Sequence, residues 1–323
     1  MATATPPKDV GALTTHGRGA GADTAFRYVA LAAGLTILAI LAAIAISTTQ
    51  RAWPAFSHAG FSYVFSDDWN PNQGKFGALA FIYGTFVVSI IAVVVAVPVS
   101  IGIALFATEV APRRLRGAIT TVMDLLAAVP SVVFGLWGFL AVRPHLKDVY
   151  NWIADKVDPV PVLNSIFGRS LSGQSFMTAG LIVALMITPI ITSITREVFL
   201  TVPRNDKDGA LALGATRWEM IKGVVLPHSS GGITGAVMLG LGRAMGETIA
   251  IALVVGASPQ IVANLFAQGE AMPSVVARNL NESSGDYQAA LIGLGVLLFV
   301  LTIGINILAR SLVSAFDRTL KGT

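Results

Sequence analysis

The sequence predicts an all-α membrane protein with six transmembrane helices, and three observations carry that expectation. Only 12% of the 323 residues are charged while 54% are hydrophobic, with a mean hydropathy of +0.71, too little charge to clothe a soluble globule of that length. Six apolar runs are each long enough to cross about 30 Å of hydrocarbon as a helix. The basic residues between those runs are unevenly divided. With the N-terminus in the cytoplasm, 14 of the 22 Lys and Arg fall inside, 7 outside and Arg243 within the membrane. That bias favours both termini inside, N-in and C-in.

Residues 1–26 are rich in Ala, Gly, Thr and Pro without apolar periodicity, the composition of a disordered cytoplasmic tail. Residues 27–323 form one membrane domain. Its first span is expected at 28–50, where no charge interrupts the run. A cleaved signal peptide is the alternative, but both the polar lead-in and the apolar run are long for one. The remaining spans are expected at 79–106, 117–140, 176–195, 231–256 and 287–309. Pro98, Pro130 and Pro189 lie inside spans, where each frees a backbone acceptor and permits a kink.

The connections at 51–77 and 141–175 contain Trp, Tyr, Phe, Pro and Asn and read as folded segments, with Trp53, Trp69 and Trp152 suited to the interface belt. A positive net charge of +4 suits anionic lipid and membrane orientation better than nucleic acid. Cysteine is absent, which excludes disulfides, thiolate metal sites and cysteine nucleophiles. His16, His58, His145 and His228 are scattered without ligand spacing.

The connection at 196–227, between the fourth and fifth spans, reads as helix, turn, helix. Gly214 can adopt the positive φ that stops a helix, Thr216 and Glu219 have capping-box spacing, and Pro227 marks a further boundary. A short surface helix over Ala215 to Lys222, held between two bends, would act as a lever. A solvated loop is the other reading of the same residues. In the fifth span, Arg243 and Glu247 are costly intramembrane charges, about 2.5–3.5 kcal/mol each at a helix centre. Four residues apart on a helix, they can pair. Arg243 then offers a forked donor to an oxyanion while Glu247 holds the guanidinium; alternatively the two only neutralise each other. Gly231 with Gly235 and Gly242 with Gly246 have small-xxx-small spacing, read as close helix packing. Asp124 lies about two turns from Arg116 and can reach the interface.

The 196–227 segment is similar to the coupling motif of ABC importer permeases: E-A-A, three residues, Gly, nine residues, Ile, one residue, Leu-Pro. Asp208, Gly209 and Ala210 stand for E-A-A, followed by Gly214, with Val224, Leu226 and Pro227 closing the pattern. Asp208, Gly209 and Val224 depart from the strict letters, and Gly209 weakens the first helix. Three further segments, from Asp67, Leu125 and Gly240 (DWNPNQGKFGALAFIYGTF, LLAAVPSVVFGLWG, GLGRAMGETIA), resemble the PstC family of phosphate-specific transport permeases.

This resemblance implies a type I ABC importer permease fold and import of inorganic phosphate by alternating access. It implies that residues about Ala215 to Lys222, with Ala215, Thr216, Arg217, Trp218 and Glu219 among them, dock into a groove of a separate ATP-binding subunit, and that Arg243 and Glu247 fall on the translocation path. The implied partners are a PstA-like sister permease, a PstB-like ATP-binding subunit dimer and a PstS-like phosphate-binding protein outside. The chain has no G-x-x-x-x-G-K-[ST] and is not itself expected to be an enzyme; ATP and Mg belong to the partner ATPase. A secondary transporter would need ion-coupling residues or inverted repeats, and a membrane enzyme a catalytic cluster; neither pattern is visible.

Overall fold

The computed structural model describes residues 20–321. Residues 1–19 of the expected tail lie outside them, and helix begins at Ala20, inside the segment read as tail. Helix α1 (Ala20–Ala59) carries the first apolar run, with nearly every side chain from Asp23 to Gln50 exposed. A membrane solvent explains an all-round apolar surface of this kind.

From Arg51 onward the chain forms a second compact unit. A short helix α2 (Ser62–Phe65) leads to a hairpin, β1 (Trp69–Asn70) and β2 (Lys75–Phe76), paired antiparallel with Trp69 opposite Phe76. Pro71 starts its turn and Gly74, at φ +66°, closes it. The Trp69 ring packs edge-on to Phe81 at 4.8 Å, whereas Trp53 and Trp152 are exposed. Tyr63 donates its buried hydroxyl to the Ala290 carbonyl at 2.6 Å, tying this segment to the last helix.

Helix α3 (Leu79–Leu105) continues through a π-turn, Phe106–Val110. It packs against α8 (Phe176–Leu200), which buries 14 of its 25 residues and starts at Ser175, whose hydroxyl accepts from the Thr178 N–H. Small residues set the approach. A Cβ at Gly180 would stand 2.4 Å from Ile91 Cγ2, so α8 meets α3 where only glycine fits.

The third span is not one helix. Helices α4 (Arg113–Ala128) and α5 (Ser131–Trp137) are separated by extended Val129 and Pro130 and bend by 90°. Proline disfavours the helical conformation of the residue before it, so Pro130 breaks the span where a kink was expected. A π-turn joins α5 to α6 (Arg143–Val157), and α7 (Pro161–Ile166) follows. Tyr150 of α6 stacks on Phe266 at 4.1 Å.

The fifth expected span is also divided. Helix α9 (Arg204–Ala212) stands alone; α10 (Arg217–Met220) runs through a π-turn into α11 (Leu226–Gly246), so that residues 217–246 are one continuous helix. The chain then turns at Glu247 into α12 (Ile249–Val254). Helix α13 (Met272–Asn279) and α14 (Gly285–Lys321) complete the order. Among the described residues, five helices are long and apolar enough to cross a membrane, and the bent α4–α5 pair with its continuation supplies a sixth crossing if it counts as one span.

Candidate functional site

Two regions hold the residues that the sequence singled out, one at each end of the helix that runs from Arg217 to Gly246. At its start, Gly214 adopts φ +90° and stops α9. Thr216 caps the next helix. Its hydroxyl accepts from the Glu219 N–H at 3.3 Å, while its own N–H donates to the Glu219 carboxylate at 2.8 Å. The Thr216 hydroxyl also donates to that carboxylate at 2.8 Å, and the backbone and hydroxyl bonds to it together hold the Glu219 carboxyl below its ordinary range.

The expected short helix over Ala215 to Lys222 is therefore bounded on one side only. No bend occurs at Pro227. The π-turn at Ile221–Val225 ends two residues before it, and such a turn absorbs the register change needed where proline supplies no N–H and crowds the preceding turn. The element that stands free between two bends is α9, which contains Asp208, Gly209 and Ala210.

This segment is anchored on one face and bare on the other. Met220, Ile221 and Val225 are buried with Ala104, Phe199 and Val202, at the ends of α3 and α8. Lys207 of α9 donates to Glu109 at 2.6 Å. On the outer face Leu213 is 91% exposed and Trp218 63%, an apolar pair of the kind that marks a protein interface. Arg217 and Glu219 flank them, exposed; Leu226 is half-buried and Pro227 exposed.

At the far end, Arg243 is exposed, and among the described residues no ion pair reaches it. Gly235, Gly242 and Gly246 lie on the same side of α11, and a Cβ on any of them would meet nothing within 4 Å. Among the described residues, nothing packs closely on Gly242 or Gly246, where close packing was expected. Gly232 and Gly240 are the residues that seat α11 on α8, against Val198 and Ile191.

Glu247 does not pair with Arg243. Helix α11 ends at Gly246, and Glu247 is extended (φ −68°, ψ 125°), so the i, i+4 geometry is lost. Glu247 is 8% exposed as a residue, and its carboxylate accepts from the Ala250 N–H at 3.3 Å, at the start of α12. A carboxylate there complements the positive end of the helix. Gly246 was the available signal, since glycine commonly ends a helix.

Two contacts had no signal in spacing: Lys207 with Glu109, and Arg196 of α8 with the Thr120 hydroxyl of α4. Asp124 lines a small cavity of about 10 Å³ beside Arg196, Thr192 and Thr120.

Residues 96–322 match the family model described as the binding-protein-dependent transport system inner membrane component. The chain belongs to this family, among the permeases called PstC. Phosphate transport system permease protein PstC of Mesorhizobium japonicum is 42% identical over 91% of each chain. Its counterpart in Xylella fastidiosa is 39% identical over 93% of each, and that of Haemophilus influenzae 38% identical over 92% of this chain and 95% of its own. The fold is shared with a bacterial alginate ABC transporter at a TM-score of 0.62 and 16% identity, covering 92% of this chain and 97% of that one. The MetNI methionine ABC transporter gives 0.51 at 16% identity, over 74% and 94%. The chain is thus a permease component, a multi-pass protein of the inner membrane, with the 196–227 segment and Arg243 inside the matched region.

Proposed function

We propose that this permease carries inorganic phosphate into the cell, as one of two transmembrane subunits of an ATP-driven importer with both termini cytoplasmic. The observation that carries the reading is Arg243: a permanently charged fork on an uncovered helix face lined by Gly235, Gly242 and Gly246, with no ion pair to it among the described residues. A charge in that setting calls for an anion on a path, and a guanidinium binds two phosphate oxygens at once. The relatives' names supply the anion: each is a phosphate transport system permease. The bare glycine face suits a PstA-like sister subunit, whose helix can approach closely there. Glu247 contributes by holding the break after α11, which ends the helix beside Arg243.

At the other end, Leu213 and Trp218 dock in a groove of a PstB-like ATPase dimer, where ATP and Mg are bound and hydrolysed. Closure of that dimer moves α9 and the continuous helix together, because Met220, Ile221 and Val225 are packed against α3 and α8. A PstS-like protein delivers phosphate from outside, and alternating access follows.

The test is phosphate uptake by vesicles containing the assembled complex, normalised to the complex present. Wild type should take up phosphate with ATP, and Arg243→Leu should assemble yet fail. Uptake by Arg243→Leu at the wild-type rate would refute the reading.

A further inference from the structure

Between α3 and α4 lies an apolar crevice of about 580 Å³, a volume typical of small-ligand sites. It exists because Pro98 and Gly102 of α3 and Ala118 of α4 carry little side-chain bulk where the two helices diverge, with Phe106 and Val122 completing the walls. A Cβ at Gly102 would meet nothing within 4 Å, so the space is not filled from within the chain's second unit. No charged or hydroxyl side chain lines it.

The crevice has a charged end. Arg113, Arg114 and Arg116 occupy the first turn of α4, all exposed, with no acid in that turn and, among the described residues, no ion pair to any of them. Arg116 gives its Nε–H to the Ala111 carbonyl at 2.8 Å, and among the described residues nothing else takes its two outer nitrogens. Cations at a helix N-terminus oppose the macrodipole, so three together gain most from an external anion. Arg114, Ala118 and Val122 follow one another at i, i+4 and i+8 on one face of α4, which places Arg114 about one turn, roughly 5.4 Å along the axis, beyond the apolar wall.

An apolar slot ending in clustered guanidinium groups fits a molecule with an apolar tail and an anionic head. We infer that this crevice is a binding site for an anionic phospholipid, one acyl chain between α3 and α4 and the phosphate head on Arg113, Arg114 and Arg116.

The experiment uses the assembled complex in phosphatidylcholine nanodiscs carrying a small fraction of probe lipid with a diazirine in the acyl chain, either phosphatidylglycerol or phosphatidylcholine. The phosphatidylglycerol probe is expected to label residues 98–106 and 118–123 several-fold more than the phosphatidylcholine probe. Replacing the three arginines by Gln is expected to weaken the phosphatidylglycerol site about fivefold per arginine, on the order of 100-fold in all. Gly102→Trp, which fills the slot and leaves the arginines in place, is expected to remove the labelling. Equal labelling of the wild type by both probes would overturn the inference without reference to any variant. So would a photo-cross-linker at Val122 joining to residues 28–50 of this chain or to a sister subunit, since the occupant would then be protein.

Discussion

Lys207 and Glu109 stand 98 residues apart in the chain, yet Lys207 Nζ lies 2.6 Å from a Glu109 carboxylate oxygen, with the two side chains only 16% and 11% exposed. The pair ties the free-standing helix α9 to the π-turn that ends α3. A charged hydrogen bond of this burial contributes about 1.5–3 kcal/mol when one partner is cut away. Glu109→Gln and Lys207→Met are each expected to lower the unfolding temperature of the complex and to loosen ATP hydrolysis from transport. The double variant should cost less than the sum of the singles, because it leaves no uncompensated charge. Strictly additive losses would mean that the contact does not couple the two elements.

Gly214→Val is expected to uncouple ATP hydrolysis from phosphate uptake. At φ +90° a side chain is strained whatever the surrounding space, and here the space is open. The defect is therefore purely conformational, about 1–2 kcal/mol of backbone strain. Gly214→Asn should be milder, since asparagine tolerates positive φ. Comparing the ratio of ATP hydrolysed to phosphate moved for the three proteins checks this; identical ratios would remove the turn from the mechanism.

Arg243 and Glu247 should behave as independent sites. Glu247→Leu removes the carboxylate that accepts from the Ala250 N–H and is expected to destabilise by about 1 kcal/mol, the usual worth of a helix cap. Glu247→Gln keeps an acceptor and should stay closer to wild type. Arg243→Leu should abolish uptake with little change in melting, and the double variant should show the summed stability loss within about 0.3–0.5 kcal/mol. Arg243→Lys should rescue poorly, for it keeps the charge without the fork. A large coupling energy in the melts would show that the two side chains pair after all.

Glu270 gives a pH signature in the connection between α12 and α14. Burial pushes its carboxyl up, while the Arg278 guanidinium, by charge and by hydrogen bond, draws it partly back. For an acid whose folded pKa lies above the unfolded value, the favourable contribution is complete below the unfolded pKa and is lost as pH rises through the folded one. Stability of the reconstituted complex should therefore fall as pH rises above the ordinary glutamate value of about 4.3. Glu270→Gln should remove that slope, and Arg278→Met should steepen it. Melting profiles of the three across the acidic range decide the matter; a slope that persists in Glu270→Gln belongs to another group.

Local chemistry made much of this molecule legible from residues alone. The Thr216 and Glu219 box and the positive φ of Gly214 occur where spacing placed them, because caps and turns depend on a few neighbouring residues. The apolar runs likewise mark where helices lie. What local pattern did not show was continuity. Pro227 reads as a boundary but sits inside a helix relieved by a π-turn, while Pro130 reads as a kink and breaks a span. The consequence of a proline depends on the backbone around it, which tertiary packing sets. The pairing open to Arg243 and Glu247 by spacing fails for the same reason: four residues is helical in number, but the helix stops at Gly246. Contacts such as Lys207 with Glu109 join distant segments and leave no trace in spacing.

Because residues 217–246 form one unbroken helix, motion at one end has a fixed gearing to motion at the other. Arg217 and Arg243 are separated by about 39 Å along the axis at 1.5 Å per residue. Pivoting the helix about its Arg217 end by about 5° therefore sweeps the Arg243 end sideways by about 3.4 Å, slightly more than the length of a hydrogen bond. A tilt that small suffices to make or break every contact between a guanidinium and an anion. In the import cycle proposed above, no large rearrangement within this subunit is then needed: a few degrees of tilt would separate an Arg243 within reach of an anion from one out of reach.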